Sequence, residues 1–258
     1  NIFPALFITI ACGAISGFHG TQTPLMARCV KSERMGRPIF YGAMITEGVV
    51  ALIWATVSAW FFYGEPAPGY ELIEAAKNGF HTSAPAVVNL VCNDWLGIAG
   101  AILAMLGVVA APITSGDTAF RSGRLIVAEW LKMDQRPIIK RLYICVPMFV
   151  CSILMLIWQI ENPDGFNTIW QYFGWSNQAL SVFTLWTLTV YLVRNHKPFW
   201  ISLIPALFMT TVCSTFLFVS KQAFHLPESI AYPLGIGCLL VAIVWFAIWF
   251  RRERKTNK

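Results

Sequence analysis

The chain has 258 residues, of which 57% are hydrophobic and only 12% charged; its mean hydropathy is +0.60 and its net charge +6. A soluble domain carries about 25% charged residues, so a soluble fold is excluded, and with it a reading of the positive balance as a nucleic-acid surface. What remains is an all-α polytopic membrane protein with about seven transmembrane helices, forming one transmembrane domain over residues 1–258.

The first apolar stretch, Ile2–Phe18, runs into "ACGAISGFHGTQTPLMARC". Two glycines, a histidine and a proline in succession predict a broken first helix, because Gly permits conformations a helix does not use and Pro24 has no N–H to donate. Irregular backbone at membrane depth is tolerated only where protein or a water-filled cavity surrounds it. Ser16, Gly17, His19, Gly20, Thr21 and Gln22 are therefore candidates for a solute or ion pathway, with Ser16–Thr23 expected to be non-helical. The alternative is a span that ends at Phe18 and gives way to a plain turn.

The second stretch, Ile39–Phe62, contains Glu47 about eight residues, or ~12 Å, from its start. Ionisable groups inside a span are costly and face a bundle interior or cavity. Glu47 lies on a small-residue stripe with Ala43, Ala51, Ala55 and Ala59, which predicts that it faces protein. It serves either a structural hydrogen bond or proton and solute coupling. An extracytoplasmic loop, residues 64–95, follows, with a short helix expected at Glu71–Phe80 and an apolar patch at Pro85–Cys92.

The third stretch, Leu96–Ile113, ends in "APITSGDTAFRSGR", where Thr114, Ser115, Asp117 and Thr118 gather oxygens that suit a hard cation. A helix cap by Ser115 or Asp117 is the alternative, and Asp117 and Arg121 are spaced to pair at i,i+4. Residues 115–141 read as a cytoplasmic loop carrying an amphipathic helix. Leu142–Ile160 is the fourth stretch. The fifth, Ala179–Val193, is short unless it begins upstream near Trp170, in "WQYFGWSNQALS". There Asn177 and Gln178 are neutral hydrogen-bonders among aromatics, the lining expected of a solute site. Trp175 joins them as a candidate, although Trp170, Tyr172 and Trp175 also fit an interfacial belt. Phe199–Val219 and Ile230–Phe250 complete the set, and 251–258 is a basic tail.

Charge fixes the expected orientation. Of the 19 Lys and Arg, 17 fall in the connections at 28–37, 115–141 and 194–198 and in the tail, whereas Lys77 and Lys221 stand on the other side among seven acids. Cytoplasmic loops retain Lys and Arg, which places the C-terminus in the cytoplasm. With Asn1 outside and no basic segment ahead of the first span, a signal peptide is a poor reading. The chain is expected to be the C-terminal part of a longer protein. The seven cysteines show no paired spacing and read as small apolar residues.

The stretches "ACGAISGFHGTQTPLMARC", "ERMGRPIFYGAMITEGVVALIWA", "PITSGDTAFRSGRL" and "WQYFGWSNQALSVFTLW" together resemble the carbon starvation protein (CstA) family. Gly20 and Gly123 stand where the family pattern leads one to expect alanine. The resemblance implies a bacterial inner-membrane transporter that imports peptides, or a small carboxylate such as pyruvate, during nutrient starvation. It also implies a LeuT-like fold, in which the broken first span opens the second repeat and extra C-terminal helices follow. Thr114 and Ser115 would then fall where related transporters supply hydroxyls to sodium, a fold-level analogy.

The chain thus reads as a symporter working by alternating access with H+ or Na+ coupling. The alternative is a membrane nutrient sensor that binds solute without moving it. No nucleophile–base pair, metal cluster or dinucleotide fingerprint is present, so neither an enzyme, a resident cofactor nor a metal is expected. The expected partners are a small solute, the lipid bilayer and the N-terminal transmembrane half of the same protein.

Overall fold

The computed structural model describes residues 3–8, 15–64, 69–71, 84–162 and 165–256, and every regular element among them is helical. The elements are α1 (Phe18–Thr21), α2 (Thr23–Ala27), α3 (Ala43–Tyr63), α4 (Ala84–Trp130), α5 (Ile138–Glu161), α6 (Gly165–Arg194), α7 (Trp200–Val219) and α8 (Glu228–Thr256). Residues 5–8 are also helical. A 3-10 turn, Glu33–Met35, and a π turn, Arg37–Gly42, lead into α3. The chain divides into two compact units, one of Asn1–Arg28 with Thr168–Lys258 and one of Cys29–Asn167.

In the first unit α7 is central. Ser202, Ala206, Met209 and Cys213 recur at four- and three-residue steps and are all buried, as one continuous helical stripe requires. Met209, Val212 and Cys213 form the core with Ile8, and Phe7, Trp175 and Leu185 pack around them. Polar contacts tie α7 to its neighbours. Thr189 on α6 donates to Ser202 at 2.9 Å, Trp186 donates its indole N–H to Thr210 at 3.1 Å, and Trp175 donates to the Cys213 carbonyl at 3.2 Å. Gly235 lets α8 approach Thr215 so closely that a Cβ there would overlap its hydroxyl.

The second unit is looser. Trp60 of α3 meets Trp95 edge-on at 4.9 Å, and Phe120 of α4 stacks on Phe149 of α5 at 4.6 Å. Gly97, at φ 62°, kinks α4 between its first turns and its long C-terminal part.

Among the described residues five helices are long and apolar enough to cross a membrane, where the sequence predicts seven crossings. α6 has the length, but Asn167, Gln171, Ser176, Asn177 and Gln178 dilute its apolar character. The first stretch is described only at residues 3–8 and from 15 onward, so its middle lies outside the described residues.

Several boundaries need correction. The helix expected within 115–141 is continuous with α4 rather than separate from it, because nothing between Thr114 and Trp130 closes the helix. The end comes where Lys132 adopts φ 52° and the Met133 and Lys132 N–H groups return to the Ala128 and Glu129 carbonyls, a Schellman closure. Residues 84–95 belong to α4 rather than to a loop, and Cys92 is buried there. The helix expected at Glu71–Phe80 lies, beyond Glu71, outside the described residues. α6 begins upstream, at Gly165, and α8 carries the basic tail in helical form as far as Thr256.

Candidate functional site

Residues 9–14 lie outside the described residues, so the opening stretch is followed from Ile15 onward. Ser16 and Gly17 are non-helical, but the backbone turns helical again at Phe18, so the expectation of a non-helical Ser16–Thr23 is corrected. Gln22 stays in the right-handed helical region at φ −92° and joins α1 to α2. Gly20 and His19 donate N–H bonds to Gly17 and Ser16 within this resumed turn. A glycine whose environment supplies helical partners follows the helix like any other residue.

Two adjacent residues of α6 hold one backbone carbonyl and one backbone N–H of the opening stretch. Asn177 accepts the Gly17 N–H at 2.9 Å on its Oδ1, and the Ser16 hydroxyl donates to the same oxygen at 3.2 Å. Gln178 donates its Nε2 to the Ile8 carbonyl at 3.4 Å, and its Oε1 accepts from Ser181 at 3.3 Å. Both amides are buried, Gln178 completely. A primary amide carries acceptor and donor together, which suits holding a backbone carbonyl and a backbone N–H from adjacent positions. Each such group left unpaired in a membrane interior costs about several kcal/mol.

The approach is close because glycine allows it. A Cβ on Gly17 would overlap the Asn177 carbonyl and lie 2.5 Å from the Leu180 Cβ, and one on Gly20 would overlap the Thr184 hydroxyl. Asn177, Leu180 and Thr184 share one face of α6, so Gly17 and Gly20 form the contact strip against it.

Beside this brace lies a cavity of about 540 Å³. Ala5 and Ile8 line it from the first helical turn, Trp170, Gln171 and Phe173 from α6, Phe216 from α7, and Lys221 and Gln222 from the α7–α8 connection. The Tyr172 hydroxyl donates to the Gln222 carbonyl at 3.2 Å and so ties that connection to α6. The walls are mostly aromatic and aliphatic, the polar groups are two amides and the Ser220 hydroxyl, and the charged group is an ammonium, a lining of the kind small-solute sites use. Trp175 lines an adjoining cavity of about 110 Å³. Sequence reasoning passed over Gln171, Lys221 and Gln222. The available signal was Lys221, a cation on the side otherwise rich in acids.

The remaining candidates are placed as follows. His19, Thr21 and Gln22 are half-buried, and the Thr21 hydroxyl turns back to the Phe18 carbonyl at 3.4 Å. In the second unit, Glu47 is exposed on α3, as are Ala51 and Ala55 of its stripe, and no described helix of that unit covers the face. Thr114, Ser115, Asp117 and Thr118 sit inside α4 and so cap nothing. Thr118 bonds the Thr114 carbonyl at 3.1 Å, and Asp117 pairs with Arg121 at 2.9 Å across the predicted i,i+4 step. Among the described residues no three His, Cys, Asp or Glu side chains gather in a metal-holding group.

Comparison with known proteins gives this arrangement a family. The model of the family described as "Carbon starvation protein CstA" matches residues 1–95 and 74–216. An uncharacterized protein of Haemophilus influenzae is 47% identical over 127 residues, 49% of this chain and 88% of its own length. The peptide transporter CstA of Helicobacter pylori is 26% identical over 269 residues, 82% of this chain and 38% of that protein. The pyruvate/proton symporter BtsT of Escherichia coli is 26% identical over 298 residues, 83% of this chain and 40% of that protein. The chain thus spans about two-fifths of the length of the named transporters it matches. No solved structure matches it. From the family match across both units, the chain belongs to the carbon starvation protein CstA family.

Proposed function

We propose that the chain forms part of an inner-membrane secondary transporter that imports peptides or a small carboxylate such as pyruvate, by alternating access coupled to H+ or Na+. The observation that carries this reading is that Gln178 and Asn177 of α6 hold the Ile8 carbonyl and the Gly17 N–H, beside a cavity of about 540 Å³. Backbone groups held by replaceable side-chain amides suit a site where a solute or ion takes over the same groups. Relatives named as a peptide transporter and as a pyruvate/proton symporter support the solute class. Further helices of a longer protein complete the pathway, and the C-terminus lies in the cytoplasm, in keeping with the basic-residue asymmetry. Glu47 and the oxygens of Thr114, Ser115, Asp117 and Thr118 are the proposed coupling groups.

Counterflow uptake in proteoliposomes of the full-length protein tests the reading, with labelled dipeptide and labelled pyruvate and with imposed H+ or Na+ gradients. Accumulation driven by one of the gradients is the expected result. Saturable binding without accumulation would make the protein a sensor instead.

A further inference from the structure

A second cavity, of about 400 Å³, lies at the opposite end of α6. Gly174 lines the first cavity and Val193 the second, roughly 19 residues or ~28 Å apart along the helix. That separation is close to the ~30 Å of a bilayer's hydrocarbon core, so the second cavity sits at the level of the headgroups on the basic side.

Its construction is specific. α6 closes with the Lys197 and His196 N–H groups returning to the Leu192 and Val193 carbonyls and with His196 at φ 53°. This Schellman closure fixes where Lys197 begins. On α8, Arg254 lies over the Phe250 ring at 4.7 Å, which orients its guanidinium. Glu253, the acid lining the cavity, is taken up by Arg194 at 2.9 Å. Two cations, Lys197 and Arg254, are left facing a space whose other walls are His196, Val193, Phe199 and Phe250 beside the paired Glu253. The arrangement is cationic at one side and apolar at the other, as a lipid is anionic at its headgroup and apolar beyond it.

We propose that this cavity binds the phosphodiester headgroup of an anionic phospholipid. Arg254 and Lys197 take the phosphate oxygens, and the phenyl rings cover the glycerol and the first acyl carbons. The inference goes beyond transport and does not depend on which solute is carried.

The test is native mass spectrometry of the full-length protein after exchange into phosphatidylglycerol or phosphatidylcholine of matched chains. The wild type should retain phosphatidylglycerol roughly tenfold better. The double variant Lys197→Gln, Arg254→Gln should bring the two lipids to parity, while the conservative Lys197→Arg keeps the preference and shows that the fold is intact. A control, Arg251→Gln with Arg252→Gln, removes the same charge outside the cavity and should leave most of the preference. Equal preference in the double variant and the wild type overturns the proposal. So does an equal loss in the control, which would mean a diffuse charge effect of the tail. Release of the lipid by millimolar inorganic phosphate also overturns it, since the site would then read free phosphate and not a lipid.

Discussion

In the first unit α7 is buried over much of its length, whereas α3, α4 and α5 of the second unit, like α8 of the first, leave most of their apolar surface exposed. All five helices are apolar enough to span a bilayer. The difference lies in what joins them. Lipid tails are as apolar as leucine, so helices in a membrane associate through close packing and hydrogen bonds and not through hydrophobicity itself. The first unit has both, in Gly235 against Thr215, Thr189 with Ser202 and Asn177 with Gly17. Polar side chains of the second unit, such as Thr46, Thr56 and Ser152, bond carbonyls of their own helices. Hydropathy therefore places both units in the membrane, and the polar and small residues decide which helices hold each other there.

The strongest way to break this comparison is Gly17→Leu. The side chain has nowhere to go between Asn177 and Leu180, so uptake by the full-length protein should fall to background while membrane insertion persists. Normal uptake in this variant would mean that the strip against α6 is not held during transport.

Glu47→Gln comes next and probes the second unit. The residue is exposed in this chain, so expression and thermal stability should be unchanged, while gradient-driven uptake is lost or uncoupled. Wild-type uptake with an unchanged pH profile would remove Glu47 from the coupling groups.

Asn177→Ala sharpens the contrast by leaving the buried Gly17 N–H without its acceptor, at a cost of about 1–3 kcal/mol. Thermal unfolding in detergent should show the loss. Asn93→Ala, whose amide bonds Asn89 one turn away in α4, should cost below about 0.5 kcal/mol.

Gly235→Val and Gly48→Val make a matched pair. The first forces α7 and α8 apart and should destabilise by about 1–3 kcal/mol, whereas a Cβ at Gly48 has nothing within 4 Å. Equal effects of the two in the same melting assay would contradict the division into a packed and an open unit.

The smallest effect belongs to Asp117→Asn. Its pair with Arg121 is well exposed on both sides, so the change should cost at most about 0.5 kcal/mol and vanish in high salt. A clear change in cation dependence of uptake would restore Asp117 to a cation site.

Much of the fold was legible because hydropathy and helix formation coincide inside a bilayer. The stretches 142–160 and 199–219 fall within a few residues of α5 and α7. Where they part, the sequence misleads. Apolarity fades at Ile113, but α4 continues to Trp130, since a helix ends where its carbonyls find other donors and not where its surface turns polar. The closing positions at Lys132 and His196 carry no glycine to announce them.

The sequence by itself determined that the chain crosses a membrane several times, that its first span is interrupted near Gly17, and that Asn177 and Gln178 are unusual in their surroundings. Those properties belong to single residues and their neighbours along the chain. Only the tertiary structure decided that Gln178 holds Ile8 while Asn177 holds Gly17, 160 positions away. It also decided that Gly17 and Gly20 serve close contact with α6, that Glu47 is exposed on α3, and that Lys221 borders a cavity. The physical reason is that an amide or a glycine states what it is able to accommodate but not which partner will come; the partner is set by how the helices pack.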